Sequence, residues 1–235
     1  MNKRNEDDKM KHGKLIVMEG SCDGVGKSTQ IELLRKRLLK EGYKVLCHHF
    51  PSYDLYQGRG VEEFLKGTYG DIKDLSPYFI NNLYAYDRMI TWQTILKKAY
   101  DDGYIILLDR YTTSSLIYQT ASLKGGKEKE TLIDEIATFE YDKLGTKRPD
   151  KVIFLNVSYT LNEEMRKKRN ADKEEDIIEQ NEKYLHEVYE SALYTAKYLN
   201  WTPIMCAKDD KLRTVEEIHE DIYKNIKDLL DGKKE

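Results

Sequence analysis

The chain is poor in the features that mark several large classes of protein. Among its 235 residues there are three cysteines, Cys22, Cys47 and Cys206, an odd number without metal-like spacing. That argues against a disulfide framework or a zinc site and fits a reducing compartment. No apolar run reaches the length of a membrane span, and the opening MNKRNEDDKMKH carries charges of both signs where a signal peptide would be apolar. The expectation is a cytoplasmic protein with no membrane partner. A dominant charge is missing as well, because Lys+Arg 39 and Asp+Glu 42 leave a net of -3. No global field recruits nucleic acid, and any polyanion must meet a local site. Residues 1–12 read as a disordered polar tail. After them there is no repeat, low-complexity segment or linker, so residues 13–235 are expected to form a single domain.

What is present is an alternation of apolar runs and helical patterns. KLIVME (14–19), YKVLCHHF (43–50), YIILLD (104–109), KVIFLNV (151–157) and WTPIMC (201–206) read as strands. Helical spacing follows the first of them up to Gly42, then recurs over 58–67, 75–103, 112–122, 127–143, 174–199 and 214–230, with Ser76-Pro77 and Gly103 bounding the longest pattern. Continuous rather than alternating apolar runs mean strands covered on both faces. The expected fold class is α/β: a three-layer sandwich of a five-stranded parallel sheet flanked by helices.

Between the first strand and the first helix lies EGSCDGVGKSTQ (19–30). It departs by one residue from the phosphate-loop spacing G-x-x-x-x-G-K-[ST], because Gly20 lies six positions before Gly26 and Ser21 stands where the first glycine belongs. The half that would touch phosphate is intact. Gly24 and Gly26 let backbone N–H groups turn inward, the helix start faces the anion, Lys27 reaches the outer phosphates, and Ser28 offers a hydroxyl for magnesium. Val25 and Thr29 complete the expected ATP-binding loop. Cys22 reads as an incidental small residue.

Three further segments, FPSYD (50–54), NNLYAYDR (81–88) and LLDRYTTSSLIYQ (107–119), stand in the order and at about the intervals of the thymidylate kinase family. From about residue 13 to the C-terminus the chain resembles that family, whose members are P-loop kinases. The resemblance implies transfer of the γ-phosphoryl group of ATP to dTMP with Mg2+, in a homodimer. It implies that Asp109 and Ser28 hold the metal and that Arg110 clamps the phosphates around the transfer point. Tyr84 would stack on the base while Arg88, four residues on and on the same helix face, reaches a base oxygen. Ser115 or Gln119, downstream of Ser114, would touch the base edge, Tyr118 would crowd the sugar position of a 2'-hydroxyl, and Asp23 would lie near the acceptor's sugar or phosphate. A lid segment around 162–176, including MRKKRNADKEED, would bring Arg166 and Arg169 to the moving phosphoryl group.

One departure bears on the acceptor. The family has an arginine near the proline after the second strand, whereas this chain has Tyr53 there and Arg59 at the next helix. A kinase of another deoxynucleoside monophosphate, or a nucleoside kinase using Glu19 as base, is the alternative within the class. A module that binds ATP without transferring phosphate is the alternative outside it.

Overall fold

In the computed structural model, which describes residues 12–169, 177–178, 181–209 and 211–231, five parallel strands form one sheet. They are β1 (Lys14–Gly20), β2 (Val45–His49), β3 (Ile105–Asp109), β4 (Lys151–Asn156) and β5 (Thr202–Met205), in the spatial order β2-β3-β1-β4-β5. The tail (1–11) and much of the expected lid (170–176) lie outside the described residues.

The apolar runs are continuous because both faces of the sheet are covered. Ile16 and Met18 of β1, with Ile105, Leu107, Ile153 and Leu155, face α1 (Lys27–Lys40) through Leu34 and Leu38 and α9 (Val215–Leu230) through Ile218, Ile222 and Ile226. Leu15 and Val17, one residue out of phase, face the opposite layer with Ile106 and Leu108. That layer begins with α2 (Arg59–Leu65) and α3 (Pro77–Thr91), then a π-helical stretch Trp92–Leu96 and α4 (Lys97–Asp101). It continues with α5 (Thr112–Tyr118), α6 (Lys127–Ala137), a second π-helical stretch Thr138–Lys143, α7 (Tyr159–Arg169) and α8 (Glu182–Tyr198). Each fully buried aliphatic side chain stabilises the sandwich by about 1.5–3 kcal/mol over exposure.

Local chemistry sets the helix ends. Ser76 accepts the Tyr78 N–H and Pro77 occupies the first turn of α3. Thr214 and Glu217 form a reciprocal capping box at α9. Two boundaries and one added element differ from the sequence expectation. The helix expected over 174–199 begins at Glu182, because the Asn181 side chain caps it by accepting the Tyr184 N–H. That expected over 112–122 ends at Tyr118, and the buried Lys129 ammonium takes up the carbonyls of Thr120 and Leu123 that follow. A two-stranded hairpin, β6 (Ala207–Lys208) with β7 (Lys211–Leu212), follows β5 without having been expected.

Candidate active site

Site residues gather at the C-terminal edge of the sheet, where loops after β1, β2 and β3 meet. The phosphate loop leaves β1 at Gly20, whose backbone a Cβ could not share, since it would lie 2.5 Å from Val25 Cγ1. The extra residue is absorbed upstream of the glycines. Ser21 continues β1 beside β4, donating its N–H to Leu155 and accepting the Val157 N–H on Oγ, and the carbonyl of Asp23 is held by Asn162 Nδ2 at 2.6 Å. Gly24 and Gly26 then adopt φ of 81° and 99°, left-handed values that a side chain would oppose, and Gly26 opens α1. Cys22 packs against the core, and burial pushes its thiol up to about 11.

A cavity of about 590 Å³ covers this loop, lined by Asp23, Gly24, Gly26, Lys27, Ser28, Thr29, His49, Asp109 and Arg110. Ser28 Oγ donates to Asp109 Oδ2 at 2.6 Å. His49, paired in register with Asp109 across β2 and β3, brings Nδ1 within 3.6 Å of the same oxygen. Burial works against the charge of Asp109, but the His49 ring, Lys27 and Ser28 outweigh it and hold the carboxyl below the usual range. Asp109 Oδ1 is buried and has no hydrogen-bond partner among the described residues. An orphaned anionic oxygen beside a hydroxyl, at the mouth of a phosphate loop, is a donor set suited to a hard divalent cation. Among the described residues no cluster of three His, Cys, Asp or Glu side chains could cage a metal without further ligands, so such a cation would draw the remainder from phosphate and water.

Arg110 takes a φ of 64° at the end of β3, which turns its side chain under the phosphate loop. Its Nη1 donates to Ser114 Oγ at 3.1 Å and lies 3.6 Å from Glu19, while Nη2 donates to Asp23. Glu19 is fully buried and occupied: Oε1 accepts the Gly20 N–H, and Oε2 accepts from the hydroxyls of Thr113 and Ser114 at 2.8 and 2.6 Å. It fixes the arginine and is not placed to take a substrate proton, which corrects the reading of Glu19 as a base.

A second cleft of about 720 Å³ adjoins the first and shares Asp23 and Arg110 with it. Tyr84, Arg88, Ser115, Tyr118 and Gln119 all line it, as do Tyr53 and an apolar wall that includes Phe50, Phe64, Ile72 and Tyr184. Arg88 sits 6.0 Å from the Tyr84 ring centre, and its guanidinium is clasped by Glu140, Nε to Oε2 and Nη2 to Oε1, each at 2.6 Å. Sequence reasoning missed Glu140, which the π-helical stretch after α6 turns inward. It also missed Asp87, which accepts the Ser52 N–H at 2.7 Å and so ties the Phe50–Tyr53 loop to α3. Tyr53 stands in the cleft where an arginine was expected, its ring 6.4 Å from that of His49. Arg59 is exposed at the start of α2 and does not line the cleft. The backbone of Arg166 and Arg169 belongs to α7, and their side chains lie outside the described residues.

A parallel sheet, a phosphate loop with Lys27 and Ser28, a carboxylate on the neighbouring strand and an adjoining aromatic cleft define a P-loop phosphotransferase. Comparison with known proteins narrows the class. The thymidylate kinase family model matches residues 18–222. The thymidylate kinase of Thermoanaerobacter sp. (strain X514) is 31% identical over 219 residues, 93% of this chain and 99% of that protein. That of Brachyspira hyodysenteriae is 35% identical over 178 residues, 75% of this chain and 77% of its relative. Among solved structures, thymidylate kinase from Candida albicans superimposes with a TM-score of 0.67 at 22% identity over 92% of both chains. The chain belongs to the thymidylate kinase family of nucleoside monophosphate kinases.

Proposed function

We propose that this protein transfers the γ-phosphoryl group of ATP to dTMP, giving ADP and dTDP. The observation that carries the reading is the junction of the two cavities: Asp23 and Arg110 line both the phosphate cavity and the aromatic cleft. A donor terminal phosphate on one side and an acceptor phosphate on the other would meet there.

In this reading Lys27 and the backbone N–H groups from Gly24 to Thr29 hold the donor phosphates. Ser28 and Asp109 hold Mg2+, which supplies charge neutralisation for the phosphate oxygens. Arg110, fixed from behind by Glu19 and Ser114, faces the oxygens of the moving group, where Arg166 or Arg169 of the lid segment would join it. Tyr84 takes the base face, Arg88 a base oxygen, Ser115 or Gln119 the base edge, and Tyr118 the sugar. No general base is required, because an acceptor phosphate is already an anion at neutral pH. The full occupation of Glu19 supports a monophosphate acceptor over a nucleoside.

A homodimer in the cytoplasm completes the proposal. Phe79 and Tyr86, seven residues apart on α3, and their neighbour Tyr78 are 42%, 47% and 54% exposed, an aromatic face suited to a second copy. Among the described residues no helix is long and apolar enough to cross a membrane. The test is ADP formation with ATP and Mg2+ over a panel of dTMP, dUMP, dCMP, dGMP, UMP and thymidine. Preference for dTMP in kcat/KM is the expected outcome, and a clear preference for another acceptor rejects the assignment. Light scattering at several concentrations reads the dimer.

A further inference from the structure

Arg88 and Glu140 form the most deeply buried ion pair among the described residues, exposed by 1% and 0%. A guanidinium carries five N–H donors. Two go to Glu140, the second Nη2 hydrogen goes to Ser115 Oγ at 2.7 Å, and one Nη1 hydrogen points at the Tyr111 carbonyl at 3.4 Å. One Nη1 hydrogen remains, on a side chain that lines the base cleft. Glu140 in turn accepts from Thr112 Oγ1 at 2.8 Å, so α3, α5 and the π-helical stretch all converge on the pair.

A lone guanidinium in an apolar wall would be an anion site. Clasped by Glu140 it is a net neutral group with a directed donor, and the carboxylate has no path to water. An anion approaching Nη1 meets the negative charge behind it, and an amino group meets donor with donor, whereas a neutral carbonyl oxygen meets only the donor. Arg110 differs, because Glu19, 3.6 Å behind it, is already engaged by the Gly20 N–H and two hydroxyls, and its direct partner Asp23 has a side chain 36% exposed and next to Lys27, free to yield when an anion arrives.

We propose that Glu140 is a positioning residue that sets the class of base accepted: it turns Arg88 from an anion site into a neutral reader of a carbonyl-edged pyrimidine. In doing so it keeps the acceptor's phosphate at the Arg110 end of the cleft. The inference rests on the dTMP reading given above.

The test compares the wild-type chain with Glu140→Gln and with Glu140→Asp. Each is assayed with ATP and Mg2+ against dTMP and dCMP, with inorganic phosphate as inhibitor at saturating ATP. Glutamine keeps the shape and removes the charge. The expected result for Glu140→Gln is a fall of at least about tenfold in the dTMP over dCMP preference in kcat/KM. The KM for dTMP rises more than kcat falls, the KM for ATP stays within about twofold, and phosphate becomes a stronger competitor of dTMP. A folded Glu140→Gln with unchanged base preference and unchanged phosphate inhibition overturns the proposal. Where that variant does not fold, Glu140→Asp carries the test, since it keeps Arg88 and the buried charge but shortens the clasp by one methylene: a fall in the dTMP over dCMP preference with a raised KM for dTMP supports the proposal, and an unchanged preference overturns it. If the wild-type protein does not turn over dTMP, the proposed reaction falls, and the inference is read from titrations of thymidine and deoxycytidine into the same proteins. A thymidine preference lost in the variant upholds it, and equal binding of both to the wild type overturns it.

Discussion

Replacing Arg88 by methionine removes the cation and leaves the fully buried Glu140 with the Thr112 hydroxyl as its remaining side-chain partner. Two routes are open to the stranded group. It stays charged, which costs several kcal/mol, or it takes up a proton, which costs an ordinary glutamate about 3.7 kcal/mol at pH 7 and about 1 kcal/mol at pH 5. The lower-energy route bounds the loss. The bond to Ser115 contributes about 1 kcal/mol more, so Arg88→Met is expected to destabilise the fold by about 3–5 kcal/mol at pH 7. At pH 5 the penalty shrinks by roughly 2–3 kcal/mol, because the folded variant holds a proton that the unfolded chain releases, and its stability therefore falls as pH rises towards 7. Arg88→Met/Glu140→Met strands no charge, so its gap from the wild type should be smaller and flat with pH. Urea unfolding at pH 5, 6 and 7, with linear extrapolation to water, reads all three proteins. A single-variant gap below about 1 kcal/mol at pH 7, or one independent of pH, would refute the account of the pair as a buried, mutually dependent charge couple.

Other perturbations read other parts of the site. Lys27→Ala should lower turnover by about a thousandfold or more while circular dichroism and thermal unfolding stay close to wild type; near-normal turnover would defeat the phosphate-loop assignment. Asp87→Ala strands the Ser52 N–H and loosens the Phe50–Tyr53 loop, so it should cost about 1–3 kcal/mol and raise the KM for dTMP more than that for ATP, whereas equal effects would detach this loop from the acceptor. Cys22 and the buried Cys206 have thiols pushed up to about 11 by burial. Their alkylation by iodoacetamide should be slow at pH 7, where about one thiol in ten thousand is ionised, and should accelerate continuously towards pH 11. Rapid labelling of Cys22 near neutrality, read by peptide mass spectrometry, would contradict that environment.

The sheet was legible because its inner strands β1, β3 and β4 are largely buried on both faces, and a five-residue run such as Ile105–Asp109 leaves no other physical reading once helices flank it. The phosphate loop was legible through backbone needs, since Gly24 and Gly26 do occupy left-handed conformations that other residues resist. Its extra residue changed less than the spacing suggested. Ser21 extends β1 along β4 by one position, and the glycines downstream keep their geometry. The pattern test counts residues from Gly20, but phosphate contact depends on the residues from Gly24 onward, so an insertion before them breaks the pattern without breaking the cradle.

Tyr84, Arg88, Ser115, Tyr118 and Gln119 were readable as one group because a resemblance, not their spacing, joined two helices into one cleft. Helical spacing alone placed Tyr84 and Arg88 on one face and could not say what that face met. Glu140 shows the limit. In TFEYDKLG a glutamate followed within three positions by an aspartate and a lysine reads as a solvated helix face, and on most helices that reading is correct. Two facts overturn it, and both are non-local. The helix after Ala137 widens into a π-helical stretch, which shifts the phase of every later side chain. The inward face then meets a guanidinium from a residue 52 positions earlier. A buried charge is tolerated only with its partner, so neither Arg88 nor Glu140 is intelligible without the other. Pairing them requires the packing of α3 against α5 and the π-helical stretch, a relation that no single segment of the chain encodes.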